Sequence, residues 1–302
     1  ALITDSTLTS EDLMRQADTA MYRSKENGRN QITLYEPGMQ EALEEHLSLQ
    51  HDLRFAIGSD QLRLFVQSQY DKQNRICGAE VLLRWLHPTR GMLTPNLFIP
   101  LAESTDLIPP LGDWIMASVC DLLLQTQECS FPISINVSPI QFRRPDFARR
   151  TRQILETSGA PAHRLIFEIT EGVLMEDFSS ANTMMRELKD LGIRFSMDDF
   201  GTGYSNLAAI RRLPLYELKM DRSLILGVPM EQEANAIVRT VLAMARQQGL
   251  HVVAEGVENE QQKEFLLRRG CHALQGYLFS APQLVEQWLE VIQQDCRPVE
   301  PQ

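Results

Sequence analysis

IRFSMDDFGTGYSN, residues 193–206, begins as an apolar strand and ends on two adjacent carboxylates, Asp198 and Asp199, before a glycine-containing loop. Two like charges at the end of a buried strand are costly unless something positive neutralises them. Because neighbouring strand residues face opposite sides, this pair can serve two adjacent positions. A solvated turn rich in Asp and Gly would explain the stretch alone, but the rest of the chain favours a functional site.

The composition is that of a soluble globular protein, with 302 residues, 43% hydrophobic and 23% charged. The formal net charge of −11 argues against a general nucleic-acid or anionic-membrane surface, so no DNA or RNA partner is expected. No apolar run approaches membrane-spanning length, so we expect no membrane contact by this segment. An anionic substrate would therefore need positive charge from metal ions or a few placed basic residues.

The five cysteines are scattered and form no CxxC pair, which predicts free thiols and a cytoplasmic location for this segment. The six histidines form no HExxH or similar cluster, which argues against a zinc site. Because the chain begins without an initiator Met, we expect a piece of a longer protein, whose upstream part could carry a membrane anchor.

From Gln61 onward, apolar strand-like runs alternate with helical patterns. Strands are predicted near 62–69, 76–84, 131–137, 165–170, 193–198, 216–220, 251–255 and 273–275. Helices are predicted near 107–124, 147–158, 181–191, 233–248, 260–269 and 283–293. This alternation predicts an α/β fold with a parallel sheet, and its length suits a closed (β/α)8 barrel of the TIM type. A doubly wound open sheet is the alternative, although no GxGxxG motif follows a first strand.

The N-terminal region has a different pattern. A helix is predicted from about residue 9 to Asn27-Gly28, followed by a short strand, Gln31 to Tyr35. An amphipathic helix from Met39 to about Ile57 follows. We therefore divide the chain into an appended helix and strand (1–36), a connecting helix (37–60) and the barrel (61–295).

Polar side chains close consecutive strands of the predicted barrel. They are Asn136, Glu168, Asp198, Lys219, Glu255 and Gln275, and an earlier strand carries Glu80 and Arg84 on one face. The carboxyl ends of parallel barrel strands meet at one rim, where such enzymes place their chemistry. Carboxylate and amide oxygens suit Mg²⁺ or Mn²⁺, and a pair of such ions is the usual device for phosphodiester hydrolysis. Glycoside hydrolysis by two carboxylates is an alternative that leaves Lys219 and Asn136 without a role.

These residues resemble an EAL domain, the bacterial phosphodiesterase domain that opens cyclic di-GMP. The resemblance covers roughly residues 49–290. It rests on AEVLLRW (79–85), PNLFIPLAE (95–103), INVSP (135–139), FEITE (167–171), MDDFGTGYSNL (197–207), LKMDRS (218–223), VVAEGVE (252–258) and LQGYLFS (274–280). EAL domains are modified TIM barrels, which agrees with the fold predicted from the strand and helix pattern.

The resemblance implies a hydrolysis that yields linear pGpG, uses two Mg²⁺ or Mn²⁺ ions and is inhibited by Ca²⁺, which favours looser coordination. The implied metal ligands are Glu80, Asn136, Glu168, Asp198 and Asp199. Lys219 matches the lysine that orients or deprotonates the attacking water, and Glu255 matches a carboxylate described as a general base. The implied contacts to substrate or bound water are Gln67, Arg84 and Gln275.

Glu171 matches the glutamate that holds the loop Phe200–Asn206 in its working shape. A homodimer is expected through the region 216–228, which follows a loop implicated in dimer contacts. A catalytically inactive cyclic di-GMP receptor is the alternative function, but such receptors usually lack a metal ligand or the DDFGTGYS loop, and this sequence has both.

Two positions depart from the family pattern. Val81 stands where Ala is usual, and we expect it to change packing only, because it faces away from Glu80. Ser68 stands where Pro often follows the substrate glutamine. In addition, ADTAMYRSKENGRN (17–30) and the strand predicted after it resemble the last helix and strand of a diguanylate cyclase GGDEF domain, although the cyclase motif itself is absent.

Overall fold

The computed structural model describes residues 9–26, 30–201 and 211–295. Its strands, in chain order, are β1 (Leu62–Tyr70), β2 (Ile76–His87), β3 (Gly91–Leu93), β4 (Ile133–Asn136), β5 (Leu165–Thr170), β6 (Arg194–Phe200), β7 (Glu217–Met220), β8 (His251–Ala254), β9 (Ala273–Leu274) and β10 (Gln283–Leu284). They form one sheet, and the pairing of β1 with both β2 and β9 closes it. The predicted closed barrel is confirmed.

The direction of the first strand departs from the all-parallel prediction. The strands β2, β4, β5, β6, β7, β8 and β9 run parallel to their barrel neighbours, whereas β1 is antiparallel to β2 and β9. Only residues 71–75 join β1 to β2. A parallel crossover needs a dozen or more residues, so this short connection permits only a hairpin. One consequence is that Gln67 lies directly opposite Glu80.

Helices precede the barrel and lie around its outside. They are α1 (Ser10–Glu26), α2 (Met39–Ala56), α3 (Pro95–Glu103), α4 (Ile108–Gln125), α5 (Pro139–Phe142), α6 (Phe147–Ser158), α7 (Glu171–Glu176), α8 (Phe178–Asp190), α9 (Arg222–Ile225), α10 (Gln232–Gln248), α11 (Glu260–Arg268) and α12 (Val285–Asp295). The longer predicted helices are confirmed to within three residues at each end. Their sequence signals work as expected: α10 ends at the left-handed Gly249, and Asn259 caps α11.

Two boundaries were missed for local reasons. The helix predicted from residue 181 begins at Phe178, because the Asp177 side chain accepts a hydrogen bond from the Ser180 N–H. The predicted closing helix from 283 instead starts with the short strand β10, which pairs with β1 before α12 begins. A strand of two residues is too short to show the alternation of apolar and polar residues by which strands are predicted.

The N-terminal strand prediction is wrong. Helix α1 forms as predicted, but residues 31–36 do not form a strand. A strand needs a neighbour to satisfy its backbone groups, and the described residues supply none here. Helix α2 is attached to the barrel by buried Leu49, Leu53 and Ala56. The division at residues 36 and 60 remains a prediction.

The cysteines only partly follow the prediction of free thiols. Cys77, Cys120 and Cys271 are free, but Cys129 is disulfide-bonded, so the prediction is wrong at that position. Pairings between cysteines distant in sequence cannot be deduced from their spacing. In the described part of the chain, no helix is both long and apolar enough to span a membrane.

Candidate active site

The barrel brings the predicted residues to one rim. Asn136 ends β4, Lys219 lies in β7, and Glu255 directly follows β8. Glu168 and Asp198 lie near the carboxyl ends of β5 and β6, Gln275 follows β9, and Glu80 lies level with Ser134 on the neighbouring strand. Side chains from seven different strands or strand ends thus face one another because the barrel closes.

Lys219 is the centre of this group. Its side chain is fully buried, and its Nζ lies 2.6 Å from Glu255 Oε1 and 2.9 Å from Glu168 Oε2. Glu80 Oε2 and Asp198 Oδ1 follow at 3.2 and 3.5 Å. The two shortest contacts, to Glu255 and Glu168, have the length of charge-assisted hydrogen bonds. Four carboxylates around one ammonium leave an excess of negative charge.

The pKa values reflect this crowding. Burial opposes the charge on Lys219, but the surrounding carboxylates outweigh it and hold the lysine pKa well above its usual value. Burial, reinforced by Glu80, raises the pKa of Glu168 well above the ordinary value against the pull of Lys219. Burial also raises the pKa of Glu255 to about 8. Burial alone would raise the pKa of Glu80, yet Lys219 and hydrogen-bond donors lower it. Glu80 therefore carries its charge more readily than its neighbours.

Glu80 is the best-held carboxylate of the group. Asn136 Nδ2 donates to its Oε1 at 3.0 Å, and Gln275 Nε2 donates to its Oε2 at 2.6 Å. The same Gln275 nitrogen donates to Gln67 Oε1 at 3.1 Å, while Gln67 Nε2 donates to the Ser280 carbonyl at 2.9 Å. The predicted residues Gln67 and Gln275 are therefore brought together with Glu80.

Arg84 lies farther along β2, on the same strand face as Glu80. Its Nη1 donates to the Leu83 carbonyl at 2.8 Å, and its guanidinium lies 5.9 Å from the Phe65 ring centroid. Burial lowers the pKa of this arginine, with the Glu80 carboxylate opposing that change. The side chain is half-buried and stays outside the ring of acids around Lys219.

Asp199 is exposed and has a positive φ of 55°, which is uncommon for a residue other than glycine. The pairing of β6 with β7 shifts register between Met197 and Phe200, so Asp199 lies at an irregularity. Although the residue as a whole is exposed, partial desolvation of the Asp199 carboxyl, together with the charges of Asp198 and Asp221, raises its pKa. Strained backbone of this kind clusters at functional sites.

Glu171 begins α7, directly after β5. Its predicted partner is the loop Phe200–Asn206, most of which lies outside the described residues. That interaction therefore stays a prediction. The two family departures have structural explanations: Val81 is buried in the core, and the Ser68 hydroxyl accepts a hydrogen bond from Trp288 Nε1 at 2.8 Å.

Three residues at the site were missed in the sequence. Asp221 lies two residues beyond Lys219, influences Asp199 and caps α9 by accepting from the Ser223 N–H at 2.9 Å. Glu217 lies two residues before Lys219 and is buried, which raises its pKa to about 6. Gln69, two residues after Gln67, donates to Gln275 Oε1 at 3.0 Å. The signal was available, because residues two apart in a strand share a face.

The acids fit a hard divalent cation in their chemistry. Glu168 Oε1 is a buried oxygen that accepts no hydrogen bond from the described residues, while Glu168 Oε2 and Asp198 Oδ1 share the one Lys219 ammonium. The donor set consists of oxygens, which Mg²⁺ and Mn²⁺ prefer. Within 9–26, 30–201 and 211–295, no three His, Cys, Asp or Glu side chains are spaced as a ready-made metal site. The acids instead converge on the Lys219 ammonium.

Known proteins share both the sequence and the fold. MucR of Pseudomonas aeruginosa, named a bifunctional diguanylate cyclase/cyclic di-GMP phosphodiesterase, is 41% identical over 286 residues, covering 93% of this chain and 42% of MucR. The cyclic di-GMP phosphodiesterase NbdA of the same organism is 37% identical over 296 residues, covering 95% of this chain and 38% of NbdA. A solved structure described as the PaMucR phosphodiesterase in complex with c-di-GMP has a TM-score of 0.76 and 39% identity, covering 80% of this chain and 99% of that chain.

This chain spans only about two fifths of the length of these curated relatives. The similarity to the solved structure, by contrast, covers nearly all of that structure and most of the barrel described above. The family model described as the EAL domain matches residues 50–282, from within α2 to the residue before β10. The chain therefore belongs to the EAL domain family.

Proposed function

We propose that this chain hydrolyses cyclic di-GMP to linear pGpG. The observation that carries the proposal is the buried Lys219 surrounded by Glu80, Glu168, Asp198 and Glu255 at the rim of an EAL barrel. The names of MucR and NbdA, and the c-di-GMP complex of PaMucR, support this substrate. The two uncompensated negative charges of such a substrate require positive charge at the site, which Lys219 and Arg84 supply only in part.

Two Mg²⁺ or Mn²⁺ ions complete the proposed site. The residues that would hold them are Glu80, Asn136, Glu168, Asp198 and Asp199, and their oxygens match the preference of these ions. When bound, such ions polarise the phosphoryl oxygens and lower the pKa of water. The ions would also neutralise the negative charge that the four carboxylates carry in excess of the one Lys219 ammonium, since buried charges need partners.

The proton-handling residues are Lys219 and Glu255, which lie 2.6 Å apart. Lys219 keeps its proton and orients the attacking water through Nζ. Glu255 takes a proton from that water as its oxygen attacks phosphorus, and the bond from phosphorus to the leaving ribose oxygen breaks. The leaving ribose oxygen takes up a proton from solvent, and Glu255 later releases its own to solvent, which gives the linear product and restores the carboxylate. Glu255 suits a base because its pKa lies close to neutrality.

Substrate positioning falls to Arg84, Gln67 and Gln275. Arg84 is the fixed cation at the edge of the acids and suits a phosphate oxygen. Gln275 uses both amide hydrogens on Glu80 and Gln67, so in this proposal it acts mainly by holding Glu80. Glu171 is assigned to support of the loop that begins at Phe200.

A homodimer through the region 216–228 is proposed as well. Leu226 in this region is 55% exposed, and Met230 just beyond it is 73% exposed. These exposed apolar side chains next to the region are the observation that supports an interaction surface there. Sedimentation at micromolar concentration tests this proposal, and a monomer across that range would contradict it. A cytoplasmic location for this segment stays an expectation.

The test of the reaction is incubation of the purified chain with cyclic di-GMP in Mg²⁺, Mn²⁺ or Ca²⁺, with nucleotides resolved by chromatography. We expect pGpG with Mg²⁺ or Mn²⁺ and little or none with Ca²⁺. Tight nucleotide binding without any product would contradict the proposal and assign the chain to the receptor class instead.

A further inference from the structure

Gln69 lies beneath the rim and has no role in the proposed reaction. It is buried in β1, 5% exposed, and its Nε2 donates to Gln275 Oε1 at 3.0 Å. Gln275 Nε2 then donates to Glu80 Oε2 at 2.6 Å. The buried amides thus form a chain of hydrogen bonds that starts at Gln69 and ends on a carboxylate at the proposed metal site.

The direction of this chain is fixed by chemistry. An ionised carboxylate only accepts hydrogen bonds, and the Glu80 carboxylate faces the Lys219 ammonium at 3.2 Å and accepts from Asn136 Nδ2 at 3.0 Å. The Gln275 atom that faces Glu80 must therefore be the amide nitrogen, and the carbonyl oxygen must face Gln69. Because Gln69 donates a hydrogen bond to this carbonyl oxygen, the observed orientation of the Gln275 amide has a lower free energy than the orientation with its oxygen and nitrogen exchanged.

The backbone makes room for Gln69 at one glycine. Gly78 in β2 is paired with Gln69 across the hairpin. A Cβ on Gly78 would collide with the Oε1 atom of Gln69 and come within 3.2 Å of its Cδ atom. Because φ of Gly78 is not positive, the backbone itself would accept alanine. The need for glycine here therefore comes from the Gln69 side chain.

We propose that Gln69, accommodated by Gly78, is a positioning residue that fixes the Gln275 amide and through it the Glu80 carboxylate. This inference rests on the proposed function, because the purpose of a fixed Glu80 is to hold a divalent cation. Hydrogen-bond partners of metal ligands commonly change metal affinity or activity by roughly ten- to a hundred-fold when removed.

Three variants test this role. Gln69→Leu removes the donor while keeping the volume, and Gln69→Glu replaces the donor with an acceptor that repels Gln275 Oε1. Gly78→Ala leaves Gln69 chemically intact but forces its side chain out of place. Ser68→Ala is the matched control, because the neighbouring side chain faces the other way and contacts Trp288.

The first readout is Mn²⁺ affinity, measured by calorimetry without substrate, together with kcat and KM. We expect Gln69→Leu and Gly78→Ala each to weaken Mn²⁺ binding about ten-fold and to lower kcat more than they raise KM. Gln69→Glu should have a larger effect, and Ser68→Ala should leave both quantities within two-fold. Wild-type Mn²⁺ affinity and kcat in the folded Gln69→Leu variant would overturn the inference.

The second readout does not depend on metal or turnover. The side-chain amide NMR signals of Gln275, assigned by their absence in Gln275→Leu, report how firmly that amide is held in the metal-free chain. We expect its exchange with solvent to be at least ten-fold faster in Gln69→Leu than in wild type. Unchanged exchange would overturn the inference. A wild-type chain without Mn²⁺ binding or turnover would instead contradict the proposed function, and the exchange rates would still decide the role of Gln69.

Discussion

Two buried cations lie near opposite ends of the barrel and have opposite kinds of partner. Arg164, which precedes β5, is 4% exposed, and Lys219 in β7 is fully buried. Arg164 donates to the Phe131 carbonyl at 2.9 Å, to the Thr126 carbonyl at 2.6 Å and to the Thr126 hydroxyl at 3.2 Å. Lys219 contacts four carboxylates, with Nζ–oxygen distances from 2.6 to 3.5 Å.

The difference distinguishes a cation that is buried for stability from one that is buried at a functional site. Arg164 has neutral partners with good geometry, and burial lowers its pKa because no carboxylate offsets the lost hydration. Lys219 has more negative charge around it than one ammonium can neutralise. A cation held only for stability would not need this excess, since buried ion pairs often cost as much as they return. The excess at Lys219 is what a site for further cations requires.

The largest effect is expected from Lys219→Met. Loss of the ammonium removes the group that orients water, and kcat should fall by about 10³-fold, within the range typical of proton-transfer residues. Nucleotide binding should persist, because Arg84 and the bound ions remain. Steady-state kinetics and calorimetric titration with cyclic di-GMP measure the two quantities. Arg164→Met is the matched control, and a Lys219→Met variant with kcat within ten-fold of wild type would remove Lys219 from the mechanism.

Arg164→Met should instead affect stability. Several buried carbonyl and hydroxyl oxygens lose their donor, so we expect the free energy of unfolding to fall by about 3 kcal/mol. The kcat of the folded fraction should stay unchanged, because none of the four contacts of this guanidinium involves a rim acid. Urea titration followed by a spectroscopic signal checks the first quantity. A loss of kcat in fully folded protein would show that the two cations are not independent.

Divalent ions should stabilise the Lys219 region and leave the Arg164 region unaffected. At a concentration a hundred times the Kd, binding to the folded state alone adds about 2.7 kcal/mol. We therefore expect Mn²⁺ and also Ca²⁺ to raise Tm by several degrees, although only Mn²⁺ supports turnover. Glu168→Gln should abolish the rise, whereas Arg164→Met should keep it from a lower starting Tm. An equal rise in Glu168→Gln would place the ions elsewhere.

The same contrast explains what the sequence could predict. Asn136, Glu168 and Lys219 were found because strand periodicity and the rim rule place strand-closing side chains together. Arg164 was not singled out, because its partners are backbone carbonyls, which carry no residue-type signal. Gln69 was missed for a related reason: its importance depends on the antiparallel β1, which the strand–helix alternation had suggested to be parallel. The short connection 71–75 was the available sign of that hairpin.

The N-terminal region shows the other limit of sequence patterns. The predicted strand at residues 31–35 has suitable side chains, with Ile32 95% exposed and Leu34 62% exposed, but the part of the chain that the structure describes gives it no neighbouring strand. The local propensity of a segment permits a strand, but the strand forms only where another strand pairs with it. At the rim, by contrast, every strand has a neighbour on both sides, so the pattern and the structure agree.

A third cation, Arg90, extends the comparison to an exposed ion pair, whose loss should change stability least. Arg90, 26% exposed at its side chain, contacts Glu45 of α2 at 2.7 Å, with Glu45 68% exposed. Water screens this pair, so Glu45→Gln should change the free energy of unfolding by no more than about 0.5 kcal/mol and leave kcat unchanged. Urea titration at low and high salt measures this, with Arg164→Met as the buried reference. A fall in the free energy of unfolding above about 1.5 kcal/mol would show that α2 is held to the barrel by charge rather than by Leu49, Leu53 and Ala56. It would also show that solvent exposure does not explain the difference between these cations.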